Sequence, residues 1–148
     1  MARLVGIDVG TKRFGVAVSD PMKIFASPHE VIQAPSDKQA LRAVARICAE
    51  QEAEALVVGL PLNMDGSEGP AAERVEMLVE KLRGMVDIPI VLWDERLTTK
   101  TAEAALIEAD TRRSRRKGLV DKIAAQVLLQ HYIDAHHVGE DGPSEQGF

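Results

Sequence analysis

The stretch Arg3–Asp20 constrains the fold more than any other part of the chain, because it combines two strand-like runs with an acid inside one of them. Both runs are apolar and rich in β-branched residues, and Gly10-Thr11-Lys12 separates them. This pattern predicts an antiparallel hairpin with a short glycine-containing turn. Asp8 lies inside the first run, between Ile7 and Val9. A carboxylate placed there needs a cation, a hydrogen-bond network or open solvent. Asp8 is therefore the first candidate for a functional residue.

Three more apolar runs, at positions 24–33, 55–59 and 88–93, predict three further strands. Pro28 lies within the first of these runs, which indicates a bulge or an edge strand because proline cannot donate to a sheet. Four segments predict helices from their caps and their apolar periodicity. The first follows the capping box Ser36-Asp37-Lys38-Gln39 and ends near Glu52, and the others span about 70–84, 98–109 and 119–135.

The resulting order, βββαβαβαα, predicts an α/β sandwich. Its central mixed five-stranded sheet would carry an antiparallel hairpin on one side and parallel strands on the other, with helices flanking it. A chain of 148 residues has the size of one domain. We expect this domain to occupy residues 1–137 and to leave residues 138–148, which are rich in glycine, glutamate and serine, as a disordered tail.

The sequence favours a cytoplasmic location without a membrane partner. No apolar run approaches the ~20 residues that cross a bilayer, and the N-terminus shows no signal-peptide pattern. The single cysteine, Cys48, fits a reducing compartment. Its place beside Ile47 on a predicted helix favours a buried and unreactive thiol.

The distribution of charge suggests a nucleic-acid partner, although the net charge of −5 argues weakly against non-specific binding. Aromatic residues make up only 3% of the chain, so base stacking is disfavoured and backbone phosphates are the expected contacts. A solvated linker is the alternative interpretation of the most basic segment, which holds five cations in six positions: Arg112, Arg113, Arg115, Arg116 and Lys117.

Acidic residues recur where an α/β sheet places its ligands. Asp94 and Glu95 follow the run at 88–93, and carboxyl ends of parallel strands form the usual binding edge. Asp121 opens the last predicted helix, whose small residues Ala124 and Ala125 would let it lie close to Asp8. Converging carboxylates repel one another unless divalent cations lie between them, and Mg²⁺ or Mn²⁺ prefers such oxygen ligands. The alternatives are a solvated Asp94 that caps a turn and an Asp121 that is an ordinary acid near a helix N-terminus.

Four segments together resemble the YqgF/RuvX family: GIDVGTKRFGVAVSD, VVGLPLNMDGSEGP, WDERLTT and VDKIAAQVLLQHYID. They occur in the family's order, and the resemblance covers about residues 3–135. It implies a ribonuclease H-like fold in bacterial proteins described as Holliday junction resolvases and as nucleases that mature the 5′ end of pre-16S ribosomal RNA. It also implies that Asp8, Glu95 and Asp121 are the catalytic, metal-binding acids. Related resolvases often carry a second acid in the last helix, where this chain has Ala124, so a four-acid site is not available.

The same resemblance suggests which residues contact the nucleic acid. Those of the hairpin turn could hold a phosphate beside the metal, and those after the last strand could do so from the other side. The loop containing Asn63, Asp65 and Gly66 could contact substrate, although a purely structural turn is the alternative. The full set comprises Thr11, Lys12, Arg13, Asn63, Arg96, Thr98, Thr99, Arg112, Arg113, Arg115, Arg116 and Lys117.

The function indicated first is that of a metal-dependent nuclease acting on structured nucleic acid, with 5′-end processing of pre-16S rRNA preferred. A Holliday junction resolvase acting on four-way DNA is the alternative, and the chain could be a monomer or a homodimer. A non-catalytic nucleic-acid-binding module is a further alternative. GIDVGTK also resembles the phosphate-binding hairpin of actin-like and sugar-kinase ATPases, but those proteins close two such domains around a nucleotide and this chain supplies one.

Overall fold

The computed structural model describes residues 3–95 and 117–140, with the side chains of the last helix described over residues 123–136. Within these ranges, strands form one sheet in the order β3-β2-β1-β4-β5. The first three strands pair antiparallel, whereas β1, β4 and β5 run parallel. The predicted mixed five-stranded sheet is therefore confirmed. Its strands are β1 (Arg3–Val9), β2 (Arg13–Ser19), β3 (Ala26–Gln33), β4 (Ala53–Leu60) and β5 (Ile90–Asp94).

Strand β3 forms the edge of the sheet and contains a bulge. Val16 on β2 pairs with Glu30, and the next residue, Ala17, pairs with Pro28, so that His29 has no partner in this register. A bulge on an edge strand tolerates a proline because the missing N–H leaves no central ladder bond unmade. Both features that the sequence suggested for this strand are present.

The beginning of β3 differs from the sequence prediction by two residues. The strand starts at Ala26 and not at Ile24. The carboxylate of Asp20 accepts hydrogen bonds from the backbone N–H groups of Ile24 and Phe25, both at 2.8 Å. These bonds hold the two residues in the β2–β3 loop, because their N–H groups are no longer available to a neighbouring strand.

Helices cover both faces of the sheet. Helix α1 (Asp37–Glu50) begins as predicted at Ser36, whose Oγ accepts a hydrogen bond from the Gln39 N–H at 3.2 Å. It ends two residues earlier than predicted because Glu52 adopts a positive φ of 52°. Helix α2 (Pro70–Arg83) matches its prediction. Helix α3 (Lys117–Glu140) is longer than predicted at both ends, and the helix predicted over 98–109 lies outside the described residues.

The sheet separates two apolar layers. Helices α1 and α2 pack on one face against side chains of β1, β2, β4 and β5. Helix α3 packs on the other face through a smaller cluster. The carboxyl ends of β1, β4 and β5 lie at one edge of this sandwich, which is where open α/β sheets bind ligands. The buried members of the α3 layer are Leu4, Ala17, Ala26, Val57, Ala125, Leu129 and Ile133.

Helix α3 lies close to the sheet because Gly6 on β1 has no side chain. A Cβ atom built on Gly6 would lie 2.9 Å from Cβ of Leu129 and 3.5 Å from the carbonyl oxygen of Ala125. Ala125 is itself fully buried, in agreement with the prediction that small residues allow a close approach. The backbone of β1 and helix α3 are therefore in contact at Gly6, and no larger residue fits between them.

Two predictions about single features have clear outcomes. Cys48 is buried, and burial raises the pKa of its thiol to about 11, which confirms an unreactive cysteine. Among the residues that the structure describes, no helix combines the length and apolarity needed to cross a membrane.

Candidate active site

Two carboxyl groups meet at the carboxyl edge of the parallel strands. Asp8 is near the end of β1, and Glu95 directly follows β5. Strand β4 lies between β1 and β5, so the side chain of Glu95 must cross β4 to reach Asp8. The two carboxyl groups form a hydrogen bond with each other. The structure thus brings together two of the three acids that the sequence singled out.

The electrostatics of this pair explain how two acids remain in contact. Burial, the negative charge of Asp8, the hydrogen bond to Asp8 and the charge of Asp94 together raise the pKa of Glu95 to about 7. A hydrogen bond between two carboxyl groups requires one proton, and the raised pKa of Glu95 lets the pair keep that proton at a pH where free carboxyl groups are ionised. Asp94 ends β5 half-buried, and its charge acts on the same site.

The chemistry of this donor set fits a hard divalent cation. Carboxylate oxygens are the ligands that Mg²⁺ and Mn²⁺ prefer, and a cation would relieve the repulsion that the shared proton now relieves. Within residues 3–95 and the described side chains of α3, no three acidic, histidine or cysteine side chains form a metal-binding group. The third predicted ligand, Asp121, belongs to α3, but its side chain lies outside the described residues.

The course of α3 can be followed from its contacts with β1. Gly6 contacts Ala125 and Leu129, whereas Leu4, nearer the start of β1, borders the same cavity as Ile133. The helix therefore runs antiparallel to β1, and its N-terminal turns point toward the carboxyl edge of the sheet. Asp121 precedes Ala125 by about one helical turn, on the side of Asp8.

Trp93 fixes the end of β5 against α3. Its indole Nε1–H donates a hydrogen bond to Nδ1 of His131 at 3.2 Å, and its ring meets that of Tyr132 edge to face at a centroid distance of 5.2 Å. Glu95 follows two residues later. The strand end that carries the acid is thus anchored by a hydrogen bond and by aromatic packing, rather than by backbone pairing alone.

The hairpin turn lies beside Asp8, as predicted. It is closed by a hydrogen bond from the Gly10 N–H to the Arg13 carbonyl oxygen at 2.9 Å. Thr11 and Lys12 are exposed, and Arg13 is half-buried. A hydroxyl and two cationic side chains at the tip of a short turn can reach a phosphate that approaches the acid pair.

The loop after β4 follows the same edge of the sheet and is held together by its own side chains. The amide nitrogen of Asn63 donates to Ser67 Oγ at 3.0 Å, and Asp65 accepts from the Ser67 N–H at 2.9 Å. Gly66 has a positive φ of 89°, as a tight turn requires. These bonds give the loop a structural role, which was the alternative interpretation. The contact of Asn63 with substrate remains a prediction.

Most of the predicted contacts after β5 cannot be placed. Lys117 opens α3, but its side chain is not among those described. The others lie outside the described residues: Arg96, Thr98, Thr99, Arg112, Arg113, Arg115 and Arg116.

Comparison with known proteins decides the family. The family model described as "RuvX: Holliday junction resolvase" matches residues 2–135. The chain belongs to the YqgF/RuvX family. A relative from Syntrophomonas wolfei is 45% identical over 139 residues, covering 94% of this chain and 99% of the relative. One from Myxococcus xanthus is 45% identical over 134 residues, covering 90% of this chain and 89% of the relative. Both carry the name "Putative pre-16S rRNA nuclease".

Solved structures with low sequence identity confirm the fold of this family member. Thermus thermophilus RuvC, in complex with a Holliday junction substrate, aligns with a TM-score of 0.63 at 15% identity, over 93% of this chain and 97% of that one. The Fowlpox virus resolvase, in complex with junction DNA, aligns with a TM-score of 0.56 at 12% identity, over 90% and 98%. The predicted ribonuclease H-like fold is confirmed, and the relatives' names support a nuclease.

Arg74 is a residue of this region that the sequence did not indicate. From α2 it donates to the Gly10 carbonyl oxygen at 2.8 Å and to Asp37 Oδ1 at 3.0 Å, and it lies 6.0 Å from the centroid of the Phe14 ring. It therefore links the hairpin turn to the first turn of α1. A cavity of about 270 Å³ lies between these elements. Nothing in the local pattern of α2 distinguishes Arg74 from its other polar residues.

Two glycines were also missed as functional positions. Gly6 admits α3, and Gly59 on β4 lies directly against the carboxyl group of Glu95. Both glycines lie within the segments that resemble the family, but the sequence does not show why glycine is needed there. The structure shows the reason, because a neighbouring side chain occupies the space that a Cβ atom would take.

Proposed function

We propose that this protein is a divalent-metal-dependent nuclease that hydrolyses phosphodiester bonds in structured nucleic acid, in 5′-end processing of pre-16S rRNA. The observation that carries the proposal is the Asp8–Glu95 carboxyl pair, held in contact at the carboxyl edge of the sheet. Two half-buried carboxylates in contact repel each other once both are ionised. A carboxyl group with a pKa raised in this way is typical of a functional site, and a divalent cation between the two acids would remove the repulsion. The names of the relatives support the substrate.

The acids would hold Mg²⁺ or Mn²⁺, with Asp121 as the third ligand. Asp8 projects from the central strand of the sheet and offers a fixed carboxylate. Glu95 would act as a ligand in its ionised form, because a nearby positive charge stabilises its carboxylate. When bound, such a cation supplies a nucleophilic water and stabilises charge on the leaving oxygen.

Cationic and hydroxyl side chains would hold the backbone of the nucleic acid. Thr11, Lys12 and Arg13 form the near side, at the hairpin turn, and Asn63 lies in the loop after β4. The basic run would add sequence-independent contacts to phosphates. A cytoplasmic location belongs to the same proposal. The remaining proposed contacts are Arg96, Thr98, Thr99, Arg112, Arg113, Arg115, Arg116 and Lys117.

Holliday junction resolution is the second candidate, because the family model carries that description and the aligned structures are bound to junctions. A resolvase would act as a symmetric homodimer and make paired nicks, whereas a processing nuclease could act as a monomer. The two functions use the same acids and differ in substrate and symmetry.

Purified protein should be incubated with a 5′-extended 16S precursor and with a four-way DNA junction, with Mg²⁺, with Mn²⁺ and with a chelator. We expect metal-dependent cleavage of the precursor, and at least about a 100-fold loss in Asp8→Asn and Glu95→Gln. Glu80→Gln is the matched control, since Glu80 is an exposed acid paired with Arg83 on α2.

The outcomes separate the candidates. Paired nicks in the junction with an intact precursor would assign the resolvase function. Binding of either substrate without cleavage would assign a non-catalytic module. Cleavage by Asp8→Asn at the rate of the unaltered protein would refute the metal-nuclease proposal.

A further inference from the structure

Gly59 occupies the position on β4 over which the side chain of Glu95 passes. Ile7 on β1 pairs with Val58 on β4, and Gly59 pairs with Trp93 on β5. Gly59 therefore stands level with Asp8 on one side and near the strand end that carries Glu95 on the other. Adjacent strands lie about 4.8 Å apart, so β1 and β5 are separated by roughly 10 Å. Glu95 can meet Asp8 only by crossing β4 at this level.

No side chain fits at this position while Glu95 stays where it is. A Cβ atom built on Gly59 would lie 3.0 Å from Cγ and 3.0 Å from Cδ of Glu95, with Oε2 closer still. Carbon atoms in ordinary contact are about 3.5–4.0 Å apart. An alanine here would therefore occupy space that the Glu95 carboxyl group now fills.

The backbone gives no other reason for a glycine. Among the described residues, Gly66 is the glycine with a positive φ, so Gly59 adopts a conformation open to any residue. It also stands in a regular stretch of parallel pairing, where glycine weakens a strand because it has the most freedom to lose on folding. The close approach of Glu95 is the feature that requires it.

We propose that Gly59 is a positioning residue for the Asp8–Glu95 pair, since its missing side chain leaves the space in which the Glu95 carboxyl group reaches Asp8. Its consequence for metal binding rests on the proposed function. Gly59 has no side chain to contact a metal or a substrate, so it acts only through Glu95. An added methyl group should move the carboxyl group away from Asp8 and split the pair.

Four variants test this proposal: Gly59→Ala, Glu95→Asp, the double variant Gly59→Ala/Glu95→Asp, and Gly84→Ala as a matched control. A Cβ atom on Gly84 would have its nearest neighbour at 3.7 Å, an ordinary contact. The readouts are metal-free crystal structures, Mn²⁺ affinity by calorimetry, and thermal midpoints. In Gly59→Ala we expect Glu95 displaced from Asp8 and Mn²⁺ affinity reduced about 10–100-fold, as for loss of groups that orient metal ligands. Gly84→Ala should match the unaltered protein in the position of Glu95 and in Mn²⁺ affinity.

The double variant supplies the specific signature. Aspartate is shorter than glutamate by one methylene group and needs less of the space above β4. Glu95→Asp alone should therefore weaken Mn²⁺ binding. In a protein that already carries Gly59→Ala, the same change should leave Mn²⁺ affinity unaltered or increase it. Residues in direct contact show such non-additivity, whereas independent sites do not.

A loss of stability in Gly59→Ala would be examined by adding Glu95→Ala, which empties the space. The destabilisation should then disappear, and equal destabilisation with and without the Glu95 side chain would overturn the proposal. An unmoved carboxyl group in Gly59→Ala, or additive losses in the double variant, would overturn it as well. If the unaltered protein itself does not bind Mn²⁺, the proposed function fails, while the crystal structure of Gly59→Ala still decides the role of Gly59.

Discussion

The carboxyl group of Glu95 crosses β4 and shares a proton with the carboxyl group of Asp8. The two residues belong to strands that are not neighbours, so their contact depends on the strand between them. This arrangement places a titratable pair in the middle of the sheet's carboxyl edge. It also makes the pair sensitive to pH and leaves the Glu95 carboxyl group directly against Gly59.

Stability of the metal-free protein should fall as the pH rises through the range set by Glu95. Its pKa is raised from 4.5 to about 7 by burial and by Asp8. The folded state therefore holds a proton that the unfolded state releases above pH 4.5. The stabilisation from this proton is complete below pH 4.5 and is lost as the pH approaches and passes 7, a change on the order of 2 kcal/mol between pH 5 and pH 8.

Urea denaturation at pH 5 and pH 8 measures this change, with Glu95→Gln as the comparison. Glutamine cannot ionise, so the free energy of unfolding of the variant should lack this pH-dependent contribution. As the pH rises from 5 to 8, the variant should therefore become more stable relative to the unaltered protein. A constant difference between the two proteins from pH 5 to pH 8 would contradict the raised pKa.

Replacing Gly6 by alanine should push α3 away from the sheet. The added Cβ would lie 2.9 Å from Cβ of Leu129, which belongs to the helix and cannot rotate away. Overpacking of this kind costs about 1–3 kcal/mol. Urea denaturation should show this loss, while Gly84→Ala changes stability by less than about 1 kcal/mol. A Gly6→Ala protein as stable as its parent would mean that the packing of α3 is looser than described.

Removing the Arg74 side chain should loosen the hairpin turn. Arg74→Ala breaks the hydrogen bonds to the Gly10 carbonyl oxygen and to Asp37, and we expect a loss of about 1–2 kcal/mol. Arg74→Lys should recover little, because an ammonium group cannot reproduce the planar fork of the guanidinium.

The exposed pair between Arg83 and Glu80 provides the control for Arg74. Arg83→Ala should cost less than about 0.5 kcal/mol, as exposed ion pairs contribute little. In a cleavage assay, Arg74→Ala should raise KM more than it lowers kcat, since the turn carries Thr11 and Lys12, which are proposed to bind phosphate. An unchanged KM would separate the turn from substrate binding.

The arrangement of strands and helices was predictable because it depends on local patterns. Runs such as the one at 88–93 are apolar over their whole length, and Ser36 carries its cap signal within four residues. The boundaries were less accurate where a side chain intervened, as when Asp20 drew Ile24 and Phe25 into a loop. Hydrogen bonds of this kind join residues several positions apart and do not change the apolar periodicity of the sequence.

The sequence by itself determined the order of the described strands and helices and the family, and it singled out Asp8 and Glu95 as candidates, because an acid beside or within an apolar run is visible without coordinates. Only the tertiary structure decided that Glu95 reaches Asp8 across β4, that Gly59 and Gly6 must lack side chains, and that Arg74 holds the hairpin turn. These relationships join residues far apart in the chain. They arise from strand order and from the few ångströms between packed layers, which no local pattern encodes.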